Sequence, residues 1–167
     1  MNLSKMSAMA AAVCSGAFIL MLAIAAYWDR SIRVLHIFES LPYLFAAILC
    51  LRQSKYGYAL GFASGAFWLW TAGFLTSFVR NGFEQLASLI QTGTGRLDLL
   101  IAVPAAISTL GLSLLSITAY VAGPNKSWRD ASLFLGAIAV IVGFFLAIFA
   151  VFAPQYLGMF RGILGSG

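Results

Sequence analysis

Long apolar segments divide the chain, and short polar stretches separate them. Five such segments cover residues 6–28, 32–51, 57–79, 97–121 and 131–153. Each reaches the roughly 20 residues that a helix needs to cross about 30 Å of hydrocarbon. Because hydrocarbon offers no partner to backbone N–H and C=O groups, each segment must satisfy its own by forming a helix. The pattern predicts an all-α integral membrane protein, a compact bundle of five transmembrane helices in a single domain over residues 1–167.

The connections between the segments set the order of this bundle. Residues 29–31 and 52–56 form links so short that consecutive helices must be antiparallel neighbours. The loop at residues 80–96 is longer, and its apolar residues recur at helical spacing, at Phe83, Leu86, Ala87 and Ile90. That spacing favours a short interfacial helix that lies flat on the membrane between the third and fourth spans.

Composition leads to the same fold class. Hydrophobic residues make up 62% of the chain and charged residues 9%, against about 45–50% and about 25% in soluble domains. A soluble fold of 167 residues could not bury so much apolar side chain. We therefore expect the lipid bilayer to be the main environment of this protein.

The net charge of +5 does not indicate nucleic-acid binding, because the basic residues stand singly or in pairs at the ends of the apolar segments. With five spans, five basic residues lie on each side of the membrane, so the positive-inside rule gives no orientation. One side carries Lys5, Arg52, Lys55, Lys126 and Arg129, and the other carries Arg30, Arg33, Arg80, Arg96 and Arg161. The Ala-rich segments and short loops favour a bacterial inner membrane over a eukaryotic membrane.

Small residues recur at four-residue steps in three segments, which places them on one helix face. They are Gly57, Gly61, Gly65 and Gly73 in the third segment, Ala12 and Gly16 in the first, and Ala139, Gly143 and Ala147 in the fifth. Such faces let another helix approach closely. That helix belongs either to this chain or to a separate membrane subunit. On the other side of the third segment, we expect Trp68 and Trp70 to face lipid. The alternative is that they contact a bound lipid, quinone or pigment.

The ionisable residues deep inside a segment are His36 and Glu39. They stand three positions apart and share a helix face, with Arg33 one turn before them and Tyr43 one turn after. A lone carboxylate at that depth costs at least a few kcal/mol, so Glu39 must be protonated, paired or hydrated. Either it forms an intrahelical pair with His36 or Arg33 that fixes the rotation of the helix, or these residues form a protonatable or ligand-binding site.

The sequence does not supply the residues of a metal or catalytic site. His36 and Glu39 offer two ligands, whereas a catalytic zinc takes three from the protein. No Gly-x-Ser-x-Gly motif occurs. The lone His stands in a different segment from the hydroxyl residues of the fourth segment, and its one acid partner is its own neighbour Glu39. We therefore predict no metal, identify no cofactor and favour a non-catalytic role.

Two functional hypotheses follow. The first is a non-catalytic subunit or accessory protein of a larger membrane complex, which packs on other membrane subunits through its glycine-rich helix faces. The second is a small transporter or carrier that uses His36 and Glu39 as a protonatable intramembrane site. The first rests on the small-residue stripes, and the second on the depth and shared face of the two ionisable residues.

Overall fold

The computed structural model describes residues 2–124 and 126–164, with side chains described as far as Met159. Helices make up nearly all of this part, and it contains no β-strand, so the all-α prediction is confirmed. The elements in chain order are α1 (Leu3–Trp28), α2 (Arg33–Leu51), α3 (Lys55–Trp70), a π-helical turn (Thr71–Leu75), α4 (Phe78–Thr92), α5 (Leu97–Leu100), α6 (Ala102–Ala122), α7 (Arg129–Phe152) and α8 (Pro154–Leu164).

Four helical segments are long and apolar enough to cross a membrane: Leu3–Trp28, Arg33–Leu51, Leu97–Ala122 and Arg129–Phe152. A fifth candidate is the pair Lys55–Leu75 and Phe78–Thr92, whose axes meet at 73°. Four of the predicted segments thus correspond to helices within a few residues at each end. The third predicted segment ended at residue 79, but the helix stops at Leu75, because Thr76 adopts an extended backbone conformation that breaks it.

The predicted interfacial helix corresponds to α4, which is longer than expected. It begins directly after the bend, and an added Cβ at Gly82 would lie 2.7 Å from the Cβ of Ala102. The start of α4 therefore presses against α6. Phe83 and Ile90, two of the apolar residues that suggested this helix, are exposed.

The helices are packed around α3, which contacts α2, α6 and α7, while α1 contacts α2 and α6. The hydroxyl of Ser4, at the start of α1, donates to the carbonyl of Ala119, near the end of α6, over 2.9 Å. We call the end of the bundle at which α1 begins the proximal end. The distal end is the one at which α1 and α3 end and α2 begins.

Three of the four glycines in the third segment meet other helices of this chain. A Cβ added at Gly57 would lie 2.5 Å from the carbonyl carbon of Leu49 in α2. A Cβ at Gly61 would lie 2.5 Å from the Ser116 hydroxyl of α6, and one at Gly65 would lie 2.5 Å from the backbone oxygen of Thr109. These glycines allow α3 to approach α2 and α6 at backbone distance.

The remaining small residues fall into two groups. Ala12 is buried where α1 packs on its neighbours. A Cβ added at Gly16, Gly73 or Gly143 would have no neighbour within 4 Å. On α7, Ala139 and Ala147 are exposed together with Gly143, so this stripe has no partner helix among the described residues.

A hydrogen-bonded carboxylate joins three elements at the proximal end, and sequence analysis did not identify it. Asp130 Oδ2 accepts from the Lys55 ammonium over 2.8 Å, the Tyr120 hydroxyl over 2.9 Å and the Ser127 backbone N–H over 2.9 Å. Because these partners come from α3, α6 and the loop before α7, Asp130 fixes the relative positions of those elements.

The expectation that Trp68 faces lipid is wrong. Trp68 is 8% exposed, and its ring packs edge-on against Phe18 with centroids 5.0 Å apart. Trp70 is 39% exposed, as expected for an outward position. The two residues differ because α3 lies at the centre of the bundle, so only a narrow part of its surface remains uncovered.

Candidate ligand cavity

A cavity of about 620 Å³ lies at the distal end of the bundle. Its wall comes from the end of α1, the start of α2, the end of α3 with the π turn, the start of α4, α5, the start of α6, the end of α7 and α8. Most of this wall is apolar, and much of it is aromatic, including Phe18, Trp68, Phe145, Phe149 and Tyr156.

Two ionisable residues of α2 line this cavity side by side. The Nδ1 atom of His36 lies 2.6 Å from Oε2 of Glu39, and the two side chains are 14% and 8% exposed. Residues three positions apart on a helix face the same direction, which brings the imidazole and the carboxylate together. The carboxylate of Glu39 is therefore paired rather than left alone in an apolar wall.

Arg33 and Tyr43, which were expected on the same stripe, do not line the cavity. Arg33 is exposed, and its Nε donates to the backbone oxygen of Ala26 over 3.2 Å, which satisfies a carbonyl in the last turn of α1. Tyr43 is fully buried, and its hydroxyl donates to the backbone oxygen of Ser64 over 3.0 Å. The structure thus brings only His36 and Glu39 to the cavity, while Arg33 and Tyr43 join α2 to α1 and α3.

The break at the end of α3 forms one side of the cavity. The backbone N–H of Thr76 donates to the carbonyl of Thr71 over 2.9 Å, the five-residue spacing of a π-helical turn. The Thr76 hydroxyl donates to the backbone oxygen of Ala72 over 3.2 Å. Thr71, Ala72, Leu75 and Thr76 all line the cavity. The helix opens here and turns into α4 instead of filling the space beside His36 and Glu39.

Polar residues line the cavity where it reaches the surface. Asp29 is exposed, and its Oδ1 accepts from the Ser31 hydroxyl over 2.6 Å and from the Ser31 backbone N–H over 2.9 Å. These bonds, the hydroxyl first, lower the pKa of the Asp29 carboxyl. Asp98 Oδ1 lies 3.2 Å from Nε of Arg96, with which it forms an ion pair. Sequence analysis missed both acids as site residues, because acids at helix ends are also ordinary interfacial charges.

The arrangement suits binding of an organic molecule better than binding of a metal ion. Among the described residues, no three His, Cys, Asp or Glu side chains come together as a metal site. The cavity instead combines an aromatic wall with one hydrogen-bonding pair, a combination typical of sites for small organic ligands. Comparisons with protein-family models, with curated proteins and with solved structures find no match to this chain.

Proposed function

We propose that this chain is a small membrane carrier or ligand-binding protein that takes one amphipathic molecule into the distal cavity. One observation carries the proposal: the His36–Glu39 pair lines a largely apolar cavity of about 620 Å³. Sites for drug-sized ligands are typically clefts of about 300–1,000 Å³ with a few well-placed polar groups. In this proposal the pair is the protonatable contact for the polar group of the ligand, and the aromatic wall holds its apolar part.

The position of the pair in a proposed membrane span supports this role. Ionisable residues are costly within a bilayer, and those that occur commonly mark substrate or proton pathways. Membrane insertion is part of the proposal, with α1, α2, the α3–π segment, α6 and α7 as spans and α4 at the interface. A bacterial inner membrane is the proposed location, to be tested by fractionating cells that express the tagged chain.

Two variants of the full-length chain in detergent test the proposed site. Ala25 is half-buried and lines the cavity, whereas Ala23 on the same helix is exposed. Ala25→Phe should fill part of the cavity, and Ala23→Phe is its control. Glu39→Gln replaces the carboxylate of the pair with an amide, and Glu84→Gln makes the same change at an exposed carboxylate on α4.

Isothermal titration calorimetry with three organic probes gives the readout: tetraphenylphosphonium, tetraphenylborate and triphenylphosphine oxide, which are cationic, anionic and neutral. We expect at least one probe to bind the wild type. Binding should fall at least tenfold in Ala25→Phe and weaken in Glu39→Gln, with both controls unchanged. If no probe binds, or if Ala25→Phe and Glu39→Gln both bind as the wild type does, the proposed function is wrong.

The exposed stripe on α7 favours a second candidate function, that of a subunit in a larger membrane assembly. Ala139, Gly143 and Ala147 are exposed, and small residues at this spacing commonly mark helix–helix interfaces in membranes. The glycines of α3 support this candidate less, because Gly57, Gly61 and Gly65 already contact α2 and α6.

Blue-native electrophoresis of gently solubilised membranes tests the subunit candidate. A subunit should migrate in a larger assembly, and Gly143→Leu should release it as a monomer by blocking close helix approach. Val140→Leu is the matched control, because Val140 is an exposed residue of the same helix that is already bulky. Migration of the wild type as a monomer alone would count against this candidate.

A further inference from the structure

The charged side chains around the distal cavity are mostly acidic. Three carboxylates line it, those of Asp29, Glu39 and Asp98. Among the described residues, no Lys or Arg side chain lines it, and His36 is the one lining group that can carry a positive charge. The cavity is therefore complementary to a positive ligand and unfavourable to a negative one.

The three carboxylates differ in how far they are already neutralised. Glu39 is paired with His36, and Asp98 with the exposed Arg96. Asp29 accepts its hydrogen bonds from Ser31, a neutral residue, and forms no ion pair with a described side chain. The His36 imidazole acts on it through space without an ion pair. The Asp29 carboxylate is therefore the least neutralised of the three where the cavity reaches the surface, and it can attract a cation there.

The aromatic wall adds a second property that favours a cation. The Trp68 ring packs on Phe18, and the Phe149 ring lies 5.8 Å from Phe145 and 5.2 Å from Tyr156, centroid to centroid. Ring faces carry negative quadrupole potential and attract organic cations, especially where water is excluded. A cation with a small, strongly hydrated charge would lose too much hydration free energy in such a wall, whereas a bulky cation with spread charge would lose little.

We infer that the ligand of the distal cavity is a lipophilic monovalent cation, such as an organic ammonium or phosphonium with an apolar body. This inference rests on the proposed function and names its ligand class. The apolar body occupies the aromatic wall, and the positive charge lies between Asp29 at the mouth and the His36–Glu39 pair deeper inside. An anionic amphiphile would meet carboxylates at both places.

Tetraphenylphosphonium and tetraphenylborate test the sign of the charge, because they share nearly the same shape and apolar surface. We expect the full-length protein in neutral detergent to bind the cation and not the anion, with affinity that falls as salt rises. Asp29→Asn should weaken cation binding by roughly tenfold at low salt, and Glu39→Gln should also weaken it. Glu84→Gln, on the exposed side of α4, should leave it unchanged. Because Asp29 is exposed, Asp29→Asn tests the inference even where Glu39→Gln fails to fold.

The outcomes separate the ligand class from the proposed function. Cation binding that Asp29→Asn leaves unchanged at low salt overturns the inference. Binding of tetraphenylborate or triphenylphosphine oxide in place of the cation, with loss in Ala25→Phe, overturns the cation class but leaves the proposed function standing. Equal binding of the cation to wild type and Ala25→Phe indicates partition into detergent and overturns the inference as well.

Discussion

The imidazole of His36 and the carboxylate of Glu39 form one hydrogen-bonded unit, with Nδ1 and Oε2 2.6 Å apart on adjacent turns of α2. Each group satisfies the other in a wall that is otherwise apolar on this side. Loss of one partner leaves the other buried without a hydrogen bond. Loss of both partners removes the hydrogen bond but leaves no buried polar group unsatisfied.

A double-mutant cycle measures this dependence. His36→Leu should destabilise the protein by about 1–3 kcal/mol, because Glu39 then lacks its partner. The double variant His36→Leu/Glu39→Leu should be more stable than the summed losses of His36→Leu and Glu39→Leu predict. We expect a coupling free energy of roughly 0.5–3 kcal/mol. Reversible unfolding in mixed detergent gives the free energies, and strictly additive losses would show that the two groups do not interact.

Close packing of α3 predicts a strong difference between two glycine-to-alanine changes. Gly57→Ala should destabilise the protein by about 1–3 kcal/mol, because the new Cβ would overlap backbone atoms of α2 that cannot move aside. Gly143→Ala meets no atom within 4 Å and should be neutral or stabilising by up to about 1 kcal/mol, because alanine is the better helix former. The unfolding midpoints of the two variants check the difference. Equal effects would contradict the packing of α3 on α2.

The Asp130 network predicts a clear loss of stability at the proximal end. Asp130→Ala removes the acceptor shared by Lys55, Tyr120 and Ser127, which come from three separate segments. The melting temperature should fall well below that of Glu84→Ala, which disrupts only a surface contact with Arg80. A melting temperature for Asp130→Ala equal to that of Glu84→Ala would mean that the network does not hold these segments together.

Ser31 predicts a pH effect at the mouth of the cavity. Its hydroxyl and backbone N–H lower the pKa of Asp29, so the carboxylate is favoured in the folded state. The stabilisation is present above the unfolded pKa, about 4, and is lost as the pH falls through the lower folded pKa. Ser31→Ala should raise the folded pKa toward its ordinary value and shrink this loss. NMR titration of the Asp29 carboxyl carbon measures the change, and an unchanged pKa would contradict the role of the hydroxyl.

The positions of the long helices could be predicted from the sequence, because the length of each apolar run between polar residues indicates the length of its helix. The predicted segment 131–153 corresponds closely to Arg129–Phe152. The π turn gave no such signal, since residues 71–79 continue the apolar run through the bend and only the backbone of Thr76 breaks it. Gly73 shares the four-residue spacing of Gly57 and Gly65 but lies in the π turn, where an added Cβ would have no neighbour within 4 Å.

The site was predictable only in part. The spacing of His36 and Glu39 was enough to predict their pairing as one alternative, because it depends on a single helix. The cavity depends on how the eight described helices and the π turn meet, and Asp29 and Asp98 join it through that packing. The hydrophobic pattern of a sequence indicates which face of each helix is buried. It contains little information on where the ends of different helices fail to pack together and so leave a cavity.

Accessibility of introduced cysteines tests most directly the central claim that the bundle crosses a membrane and opens its cavity on the side opposite the amino terminus. In a chain with both native cysteines replaced by alanine, Arg30→Cys and Gln91→Cys report the distal end. Arg52→Cys and Trp128→Cys report the proximal end. All four positions are exposed. In intact cells, a membrane-impermeant maleimide should label one pair only, and the other pair should react only after the membrane is permeabilised. Labelling of all four from the same side, or recovery of the chain in the soluble fraction, would contradict the claim.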